Sequence, residues 1–431
     1  MNTERLELRA SGIPWIGTVP SHWEQTQFRA AFSLKKIKNA GMLDNNLLSL
    51  SFGRIIPRDI ASSDGLVPQS YETYQIVDRD DIIFRFTDLQ NDKRSLRSAR
   101  VAERGIITSA YLAVTPTGID ARYAEYLMRS YDLAKVFYGL GGGVRQSLKF
   151  SDVALLPILL PPIDEQQAIA DYLDRETQKI DELVTEQRGL IETLRERRLG
   201  LIAKAVTRGL NEEQLGESPM PWIGAIPKGW VSGRIKHLGS VALGKMLQSR
   251  AKEGDVEAPY MRAANIQPNG VLADREFKTM WFSPAELRSL ELRRGDVVVV
   301  EGGIGGYGRA AFLSRDLKGW GYQNSVNRIR PFGDGRFIAY YLQAVRAKGL
   351  IEAYCNIVSM PHLTAEKLEA MPAPMPPDDE QRSISDYLDE QTARIDELIS
   401  ESEDLIALSQ ERRAALITAA VTGQIDVRTA A

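Results

Sequence analysis

The sequence predicts an α+β chain in which two globular domains of mixed strands and helices alternate with two long helices. Three observations support this fold class. Short sequence blocks recur along the 431 residues at a constant offset. The recurring blocks open two long segments with heptad-spaced apolar residues. The intervening segments contain short strand candidates separated by glycine and proline. We expect the helices to pair as an antiparallel coiled coil, giving an internal repeat with a pseudo-two-fold axis.

Five short motifs return 215 residues further along the chain, and an opening motif returns at an offset of 207. The opening motif, Pro14-Trp15-Ile16-Gly17 with Pro20 and Trp23, recurs as Pro221-Trp222-Ile223-Gly224 with Pro227 and Trp230. The others are Pro161-Pro162-Ile163-Asp164-Glu165-Gln166 and Pro376-Pro377-Asp378-Asp379-Glu380-Gln381, Asp171-Tyr172-Leu173-Asp174 and Asp386-Tyr387-Leu388-Asp389, Ile180-Asp181-Glu182-Leu183 and Ile395-Asp396-Glu397-Leu398, Arg197-Arg198 and Arg412-Arg413, and Ala205-Val206-Thr207 and Ala420-Val421-Thr422.

The first long helix is predicted over residues 164–207. Asp164 is a candidate N-cap, with Gln167 completing a capping box, and Gly209 is a candidate stop. One row of seven-residue spacing contains Leu173, Ile180, Leu194 and Leu201, and we place Ile169, Leu183 and Leu190 in the neighbouring row.

The second long helix has the same pattern and is predicted to end at Thr422-Gly423. One row contains Leu388, Ile395 and Leu416, and the next contains Ile384, Leu398 and Leu405. Neither helix buries its apolar stripe alone, so the simplest partner is the other copy. The alternative is that each stripe packs on its own globular domain.

The globular segments share positions at the offset of 215, which indicates one fold used twice. Asp78–Phe84 aligns with Arg293–Val299, Pro116 with Pro331, Tyr126-Leu127 with Tyr341-Leu342, and Leu148 with Leu363. Most other positions differ between the copies. A repeated scaffold with divergent surfaces is typical of a protein that recognises two different ligands with one architecture.

Bulk composition is that of a globular protein. Apolar residues make up 43% and charged residues 26%, the net charge is −3, and Cys355 is the only cysteine. Intramolecular disulfides and cysteine-based zinc sites are therefore excluded. No apolar run reaches the roughly 20 residues of a membrane span, and the first residues lack a signal-peptide pattern. We expect a cytoplasmic protein.

Two glycine-containing stretches resemble nucleotide-binding motifs without completing them. Residues 303–308 fit GxGxxG, but the following residues form a poor helix and the first copy has no glycine at the matching stretch. Residues 239–246 approach a P-loop, but Met246 replaces the required Ser or Thr. The three histidines lie far apart, and no nucleophile motif is found. We expect no catalysis and no cofactor on this chain.

Basic and amide side chains cluster in the globular segments, in the combination that proteins use for phosphate anchoring and base-edge recognition. They are candidates for DNA contact, although a solvated charged surface explains many such runs. The candidates are Arg85, Lys93, Arg94, Arg97, Arg100, Arg145, Gln146 and Lys149 in the first segment, and Gly303, Arg309, Gln323, Asn324 and Arg328 in the second.

Taken together, the motifs resemble the specificity (S) subunits of type I restriction-modification systems over nearly the whole chain. The most specific features are the two Pro-Pro-x-x-Glu-Gln blocks, each opening a helix with Asp-Tyr-Leu-Asp and Ile-Asp-Glu-Leu, and the paired Pro-Trp-Ile-Gly openings. The resemblance implies target-recognition domains at 1–160 and 210–375, and helical spacer regions at 161–209 and 376–431.

The resemblance further implies a non-catalytic subunit that binds a bipartite, asymmetric site on double-stranded DNA, one half-site for each recognition domain. Its helices would bind two methyltransferase (M) subunits, and restriction (R) subunits would join through that core. S-adenosylmethionine and ATP would then belong to the partner subunits. The alternative hypothesis is a coiled-coil scaffold that recruits proteins without reading DNA, which the acidic net charge favours.

Overall fold

The chain forms two compact units, which divide inside the two long helices. One unit consists of Met1–Gln187 with Asp404–Ala431, and the other of Arg188–Glu403. Each unit therefore combines one globular segment with one part of each long helix. This computed structural model describes residues 7–60, 70–92, 95–140, 147–211, 215–217, 220, 223–273, 277–303, 306–355 and 362–427.

The globular segment of the first unit contains thirteen strands, three short helices and two 3-10 turns among its described residues. The strands are β1 (Leu8–Ile13), β2 (Ile16–Pro20), β3 (Glu24–Gln27), β4 (Phe32–Lys35), β5 (Ile37–Lys38), β6 (Leu47–Ser51), β7 (Arg54–Arg58), β8 (Gln75–Val77), β9 (Ile82–Phe84), β10 (Ser98–Arg100), β11 (Gly105–Ile107), β12 (Leu112–Pro116) and β13 (Pro157–Leu160). The helices are α1 (Phe28–Ala31), α2 (Ala121–Leu133) and α3 (Phe150–Val153), and the 3-10 turns are Tyr71–Thr73 and Val136–Gly139.

The second globular segment contains eleven strands, five helices and one 3-10 turn among its described residues. The strands are β14 (Leu215–Gly216), β15 (Ile226–Pro227), β16 (Val231–Arg234), β17 (Gly239–Leu243), β18 (Val256–Met261), β19 (Lys278–Phe282), β20 (Val297–Val300), β21 (Ala310–Phe312), β22 (Gly321–Tyr322), β23 (Val326–Pro331) and β24 (Pro372–Met375). The helices are α5 (Ile235–Leu238), α6 (Pro284–Ser289), α7 (Gly335–Ala347), α8 (Leu350–Tyr354) and α9 (Ala365–Ala370), and the turn is Ala263–Asn265.

Each segment has its own four-stranded central sheet, and the strands are arranged in the same way in both. In the first unit the strand order is β10-β9-β12-β4, and in the second it is β21-β20-β23-β17, antiparallel throughout. A further sheet in each unit contains one parallel pair, β6 with β11 and β18 with β22. The continuous apolar run Val297–Val300 is fully buried because this strand is covered on both faces.

The long helices are α4 (Ile163–Arg208) and α10 (Asp378–Val421). The N–H of Gln166 donates to the carbonyl of Pro162, so α4 begins one residue before Asp164. Asp164 therefore lies in the first helical turn, and the prediction that it is the N-cap is wrong; its carboxylate still favours the positive end of the helix dipole. Gly209 and Gly423 follow the helix ends with φ of +71° and +73°, the left-handed conformation that favours glycine.

The helices pack antiparallel within each unit. In the first unit, Ile169 and Leu173 from the start of α4 share a hydrophobic cluster with Ile417 and Val421 from the end of α10. In the second unit, residues at the end of α4 cluster with residues at the start of α10, namely Ile202, Ala205 and Val206 with Ile384 and Leu388. The predicted antiparallel pairing is confirmed, and both ends of the stripe also enter the globular cores.

Two rows of residues with seven-residue spacing form the buried stripe of α4, and two matching rows form that of α10. We call these four rows the seam. One row is the predicted one: Leu173, Ile180 and Leu194 are buried and Leu201 is half-buried. The other row is Ala170, Thr177, Val184, Ile191, Arg198 and Ala205, all buried. For the neighbouring row the sequence predicts Ile169, Leu183 and Leu190. Ile169 is buried and Leu183 half-buried, but Leu190 is wrongly placed, because its side chain is 44% exposed.

The seam of α10 repeats that arrangement at the offset of 215. Leu388 and Ile395 are buried and Leu416 is half-buried, and Ser402 and Ser409 continue the same row as buried residues. The second row contains the buried Ser385, Thr392 and Ala420. Of the residues predicted for the neighbouring row, Ile384 is buried, but Leu398 and Leu405 are exposed. The seam of α10 thus buries small polar residues, whereas Leu398 and Leu405 point to solvent.

An arginine stands at matched positions in the second seam row of each helix. Arg198 is buried and forks onto Asp396, with Nε 2.9 Å from Oδ1 and Nη2 3.2 Å from Oδ2. Its repeat mate Arg413 lies 3.5 Å from Asp181 in the first unit. A two-pronged contact to a buried guanidinium is the stronger of the two arrangements.

We expect Asp396→Ala to lower the free energy of unfolding by about 1–2 kcal/mol, because it leaves the Arg198 guanidinium without its fork partner. Asp396 is half-exposed, so the loss stays below that of a fully buried pair. The matched variant Asp181→Ala should cost less than about 1 kcal/mol. Urea unfolding measures the stability of both variants. Equal losses would contradict the conclusion that the Arg198–Asp396 contact is the stronger of the two.

Among the residues that the structure describes, none of the helices combines the length and apolar character needed to cross a membrane.

Candidate functional site

The repeated Pro-Pro-x-x-Glu-Gln blocks form matched junctions between a globular segment and a long helix. In the first unit, Trp23 Nε1 donates to Glu165 Oε2 at 2.7 Å. In the second unit, Trp230 Nε1 donates to Glu380 Oε2 at 2.8 Å. The glutamate of the block therefore accepts from the last tryptophan of the opening motif, and this pairing explains why both motifs are repeated.

The glutamine of each block is also structural. Gln166 is buried; its amide donates to the carbonyl of Pro161 at 2.8 Å and accepts from the N–H of Asp120 at 2.8 Å. Gln381 makes the same two contacts, to Pro376 and Asp334. Because Asp120 and Asp334 cap α2 and α7, the glutamines tie the start of the domain helix to the start of the long helix.

The Asp-Tyr-Leu-Asp motif of the first unit docks α2 on α4. Arg122 Nη1 contacts Asp171 at 2.7 Å and Asp174 at 3.0 Å, and the Tyr126 hydroxyl donates to Asp174 at 2.7 Å and contacts Thr177 at 3.2 Å.

The same contacts recur between α7 and α10. Arg336 pairs with Asp386 and Asp389, and the Tyr340 hydroxyl meets Asp389 at 2.7 Å and Thr392 at 3.2 Å. The equivalent of Tyr126 is therefore Tyr340, and the alignment with Tyr341 is wrong. The connection before α7 is one residue shorter than the one before α2, which shifts the offset to 214.

These contacts assign the repeated motifs to the scaffold, so recognition chemistry has to be sought where the copies differ. Of the thirteen candidate DNA-contact residues, four lie outside the described residues. They are Lys93, Arg94, Arg145 and Gln146.

Two candidate arginines are buried inside the globular segments. Arg97 is 0% exposed, and its guanidinium donates to the carbonyls of Thr87 and Asp92. Arg328 is 7% exposed; its Nη1 donates to the carbonyl of Ser289 at 3.0 Å. Because both guanidinium groups are buried and donate to backbone carbonyls, we assign both arginines a structural role.

The remaining candidates in the first unit differ in accessibility. Lys149 is exposed and Arg85 is half-buried. Arg100 pairs with Glu125 at 3.0 Å and Asp80 at 2.7 Å, so its charge is already neutralised by its neighbours. Burial opposes the charged form of Arg100, but the two carboxylates outweigh it and raise its pKa.

Tertiary structure brings Arg85 and Lys149 to one edge of the first unit. The N–H of Leu148 donates to the carbonyl of Phe86 at 3.1 Å, at the point where the chain leaves β9. This bond places the segment before α3 beside the connection from β9 to β10. We call this region the first edge; it consists of Arg85–Asp92 and Ser147–Lys149.

The second unit has a matched edge at the end of β20, consisting of Glu301–Gly303, Gln323–Ser325 and His362–Leu363. The N–H of Leu363 donates to the carbonyl of Glu301 at 2.7 Å, and the N–H of Glu301 donates to the carbonyl of Ser325 at 2.9 Å. Gly303, with φ of +109°, and the half-buried Gln323 and Asn324 therefore gather at this edge, with the half-buried Arg309 just before β21.

The glycine loop is the connection of a β-hairpin. It joins β20 to β21, which pair antiparallel with Val297 opposite Phe312. A dinucleotide site of the GxGxxG type requires a helix after the first strand, whereas here the strand β21 follows. The near P-loop at 239–246 falls on β17, which likewise has no following helix at Lys245.

The backbone of the second edge is braced by Lys245. Its N–H donates to the carbonyl of Tyr322 at 3.0 Å, its carbonyl accepts from Asn324 at 2.8 Å, and its ammonium contacts Glu286 at 2.5 Å. Glu286 also completes the capping box of α6 with Ser283. The hydrogen bonds from Lys245 and from the Ser283 N–H lower the pKa of Glu286 to about 2, from a usual value of 4.5.

A lowered carboxyl pKa stabilises the folded state above pH 4.5, and this contribution is lost as the pH falls toward 2. We expect Glu286→Gln to be about 1 kcal/mol less stable than the wild type at pH 6, allowing for solvent screening of the half-exposed pair. The difference should shrink between pH 5 and pH 3. Lys245→Met should show the same trend, and a pH-independent difference would contradict this assignment.

Comparison with known proteins gives one family and several relatives. The type I restriction modification DNA specificity domain matches residues 227–407. A protein of Methanocaldococcus jannaschii named as the type I restriction enzyme MjaX specificity subunit is 26% identical over 324 residues, which cover 72% of this chain and 69% of that protein.

Two solved structures share the fold. The HsdS subunit from Thermoanaerobacter tengcongensis aligns with a TM-score of 0.52 at 15% identity, covering 94% of this chain and 98% of that one. A chain from a structure on complex assembly and conformational transition of the type I R-M system aligns with a TM-score of 0.71 at 15% identity, covering 94% and 99%. From residue 227 to residue 407 the chain is therefore similar in sequence to the type I restriction modification DNA specificity domain, and over 94% of its length it shares the fold of an HsdS subunit.

Proposed function

We propose that this chain is the DNA sequence-recognition subunit of a type I restriction-modification complex. It binds a bipartite, asymmetric site on double-stranded DNA, with one half-site for the recognition domain at 1–160 and the other for that at 210–375. The observation that carries the proposal is the contrast between identical junctions and divergent edges within one chain.

The contrast has a direct physical meaning. Trp23–Glu165 and Trp230–Glu380 hold each domain on its helix with the same contacts, within 0.1 Å in length. The matched edges, by comparison, carry Lys149 and an Asp-Leu-Gln-Asn-Asp sequence in one unit and glycines with Gln323 and Asn324 in the other. Different side chains on one scaffold suit two different half-sites.

The electrostatics favour local rather than global attraction to DNA. The net charge is −3, and the acidic residues are concentrated on the long helices. Lys149 and Arg85 on the first edge, and Arg309 beside the second, are suited to phosphate contact because binding charge need only be local. Lys93, Arg94, Arg145 and Gln146 stay candidates on sequence grounds.

Exposed leucines on the long helices support recruitment of two copies of one partner. Leu190 and Leu405 are repeat mates at the offset of 215, and both point to solvent outside the seam, as does Leu398. Equivalent apolar positions on two helices suit two methyltransferase subunits, through which restriction subunits join. S-adenosylmethionine and ATP bind to those partners, and this chain performs no catalysis.

A gel-shift experiment tests DNA recognition. The chain is assembled with its methyltransferase subunits and offered a random-sequence duplex library, and the bound fraction is sequenced. We expect enrichment of two separated half-sites, together with a steep fall in affinity with salt. The chain alone should bind weakly, because only the assembled complex engages both half-sites together.

Equal affinity for all sequences would refute the proposal and favour the alternative of a scaffold without DNA readout. Charge reversal at the exposed Lys149, as Lys149→Glu, separates the two functions. It should weaken DNA binding while leaving methyltransferase assembly intact. Leu190→Asp is the reciprocal variant and should weaken assembly first.

A further inference from the structure

The connection between β9 and β10 is held from inside the first unit by Arg97. Its Nη1 donates to the carbonyl of Thr87 at 3.2 Å, its Nη2 donates to the carbonyl of Asp92, and its Nε donates to the Tyr138 hydroxyl at 3.2 Å. Its backbone N–H donates to the buried carboxylate of Asp132. One fully buried guanidinium thus fixes both ends of the segment Thr87–Asp92, which we call the recognition loop.

Other contacts reinforce the same loop conformation. The Tyr138 hydroxyl donates to the carbonyl of Asp92 at 3.2 Å, and the Leu89 side chain is fully buried in the main core cluster of this unit. Asp88 adopts the left-handed conformation with φ of +58°, which a short polar side chain tolerates. A surface loop anchored by a buried leucine and a buried arginine is pre-organised, as a recognition element has to be.

The side chains that this loop presents to solvent are amides and a carboxylate. Gln90, Asn91 and Asp88 are exposed, and Asn91 Nδ2 donates to Asp88 Oδ1 at 2.7 Å. Asn and Gln pair with the major-groove edge of adenine through two hydrogen bonds, and a carboxylate accepts from the amino group of cytosine. Arg85 and Lys149 lie at the base of the loop, where phosphate contact would orient it.

The internal repeat supplies an independent reason to select this loop. Phe86 and Glu301 accept matched hydrogen bonds from Leu148 and Leu363, so the loop that follows Phe86 corresponds to the one that follows Glu301. The junction residues are retained between the copies, but the recognition loop is replaced by Gly302 and Gly303 at its start. Divergence at a structurally matched position is expected where each domain sets its own specificity.

We propose that Gln90 and Asn91 read base edges in one half-site, and that Arg97 is the positioning residue that holds them in place. This assignment rests on the proposed function and refines it. Arg97 is therefore an internal support and not a contact to DNA, because its guanidinium is buried and each of its three nitrogens donates to Thr87, Asp92 or Tyr138.

The direct test is Asn91→Ala and Gln90→Ala, each in the complex of the full chain with its methyltransferase subunits. A random-sequence duplex library is the probe, and the base preference at every position is read by sequencing. We expect discrimination at one or two positions of a single half-site to fall roughly 5- to 150-fold, the range for losing a bidentate base contact. The other half-site should keep its preference.

The positioning role is tested with Arg97→Lys, which keeps the charge but loses the guanidinium fork. It should relax the same positions as Asn91→Ala, while affinity for non-specific duplex changes less than twofold. Arg328→Lys is the matched control, since Arg328 is also a buried arginine bound to backbone carbonyls but lies in the second unit. It should leave that half-site unchanged even if it lowers the melting temperature.

The outcomes distinguish failure of the recognition-loop assignment from failure of the proposed function. A selective wild-type complex whose preferences are unchanged by both loop variants would overturn the recognition-loop assignment and leave the proposed function standing. A wild-type complex without sequence preference would overturn the proposed function itself. Relaxed preference in both half-sites with Arg97→Lys would show a general loss of structure and contradict the positioning role.

Discussion

Ile180→Asp should lower the free energy of unfolding by about 3–5 kcal/mol, which is the largest single-site effect that we expect. Ile180 is 8% exposed and lies in the seam of α4, where an ionised carboxylate would lose most of its hydration. Its repeat mate Ile395 is equally buried, so Ile395→Asp should have a comparable effect. Urea unfolding followed by circular dichroism measures the loss.

Leu190→Asp is the matched control on the same helix. Because the Leu190 side chain is 44% exposed, the same change of chemistry should alter stability by less than about 0.5 kcal/mol. Equal destabilisation by Ile180→Asp and Leu190→Asp would show that Ile180 is no more buried between the helices than Leu190 is. An unchanged melting temperature for Ile180→Asp would refute the seam altogether.

Gly423→Ala should lower the free energy of unfolding by about 2–4 kcal/mol. Gly423 follows the end of α10 with φ of +73°, and a Cβ there would lie 2.3 Å from Pro20 Cδ and 3.1 Å from the Trp23 ring. The left-handed backbone costs an alanine about 1–2 kcal/mol, and the clash with the proline ring adds an overpacking cost. The variant should also loosen the Trp23–Glu165 junction, which tryptophan fluorescence can follow.

Gly12→Ala isolates the backbone contribution. Gly12 has nearly the same φ, +71°, but a Cβ there would meet nothing within 4 Å. We expect a loss of only about 1–2 kcal/mol, from the conformation alone. If Gly423→Ala and Gly12→Ala cost the same, the close approach of the opening motif to the helix end would contribute nothing to stability.

Several structural features could be predicted from local sequence signals and from the internal repeat. The equivalence of Leu148 and Leu363 in the two copies is confirmed, because their N–H groups donate to the carbonyls of the equivalent residues Phe86 and Glu301. The helix stops at Gly209 and Gly423 and the antiparallel packing are confirmed as well. These predictions held because each depended on a strong local signal, such as glycine in a left-handed cap, or on two copies of one pattern agreeing with each other.

The second row of the seam could not be identified from hydrophobicity. Leu190, Leu398 and Leu405 are more apolar than the second-row residues Thr177 and Thr392, yet the leucines are exposed and the two threonines are buried. Close helix contact selects small side chains, and a threonine hydroxyl can donate to its own helix, as Thr177 does to the carbonyl of Leu173 and Thr392 to that of Leu388, both at 2.7 Å. The signal was the heptad Ala170, Thr177, Val184, Ile191, Arg198 and Ala205, which depends on spacing rather than on residue type.

Charge was an equally incomplete guide to the candidate site. Arg97 and Arg100 belong to one basic run in the sequence, but burial directs Arg97 to backbone carbonyls and ion pairing directs Arg100 to Glu125 and Asp80. The exposed amides Gln90 and Asn91 carry no charge and were missed. Divergence between matched positions of the two copies was the sequence signal that could have identified them.

By itself, the sequence determined that the chain is a duplicated scaffold that resembles the type I specificity subunits, because repeated motifs at a fixed offset encode the same local contacts twice. The tertiary structure alone decided which residues form the second row of the seam and which arginine faces inward. Burial and partner choice depend on residues distant along the chain, such as Arg97 with Tyr138 or Arg198 with Asp396, whose proximity no local pattern records.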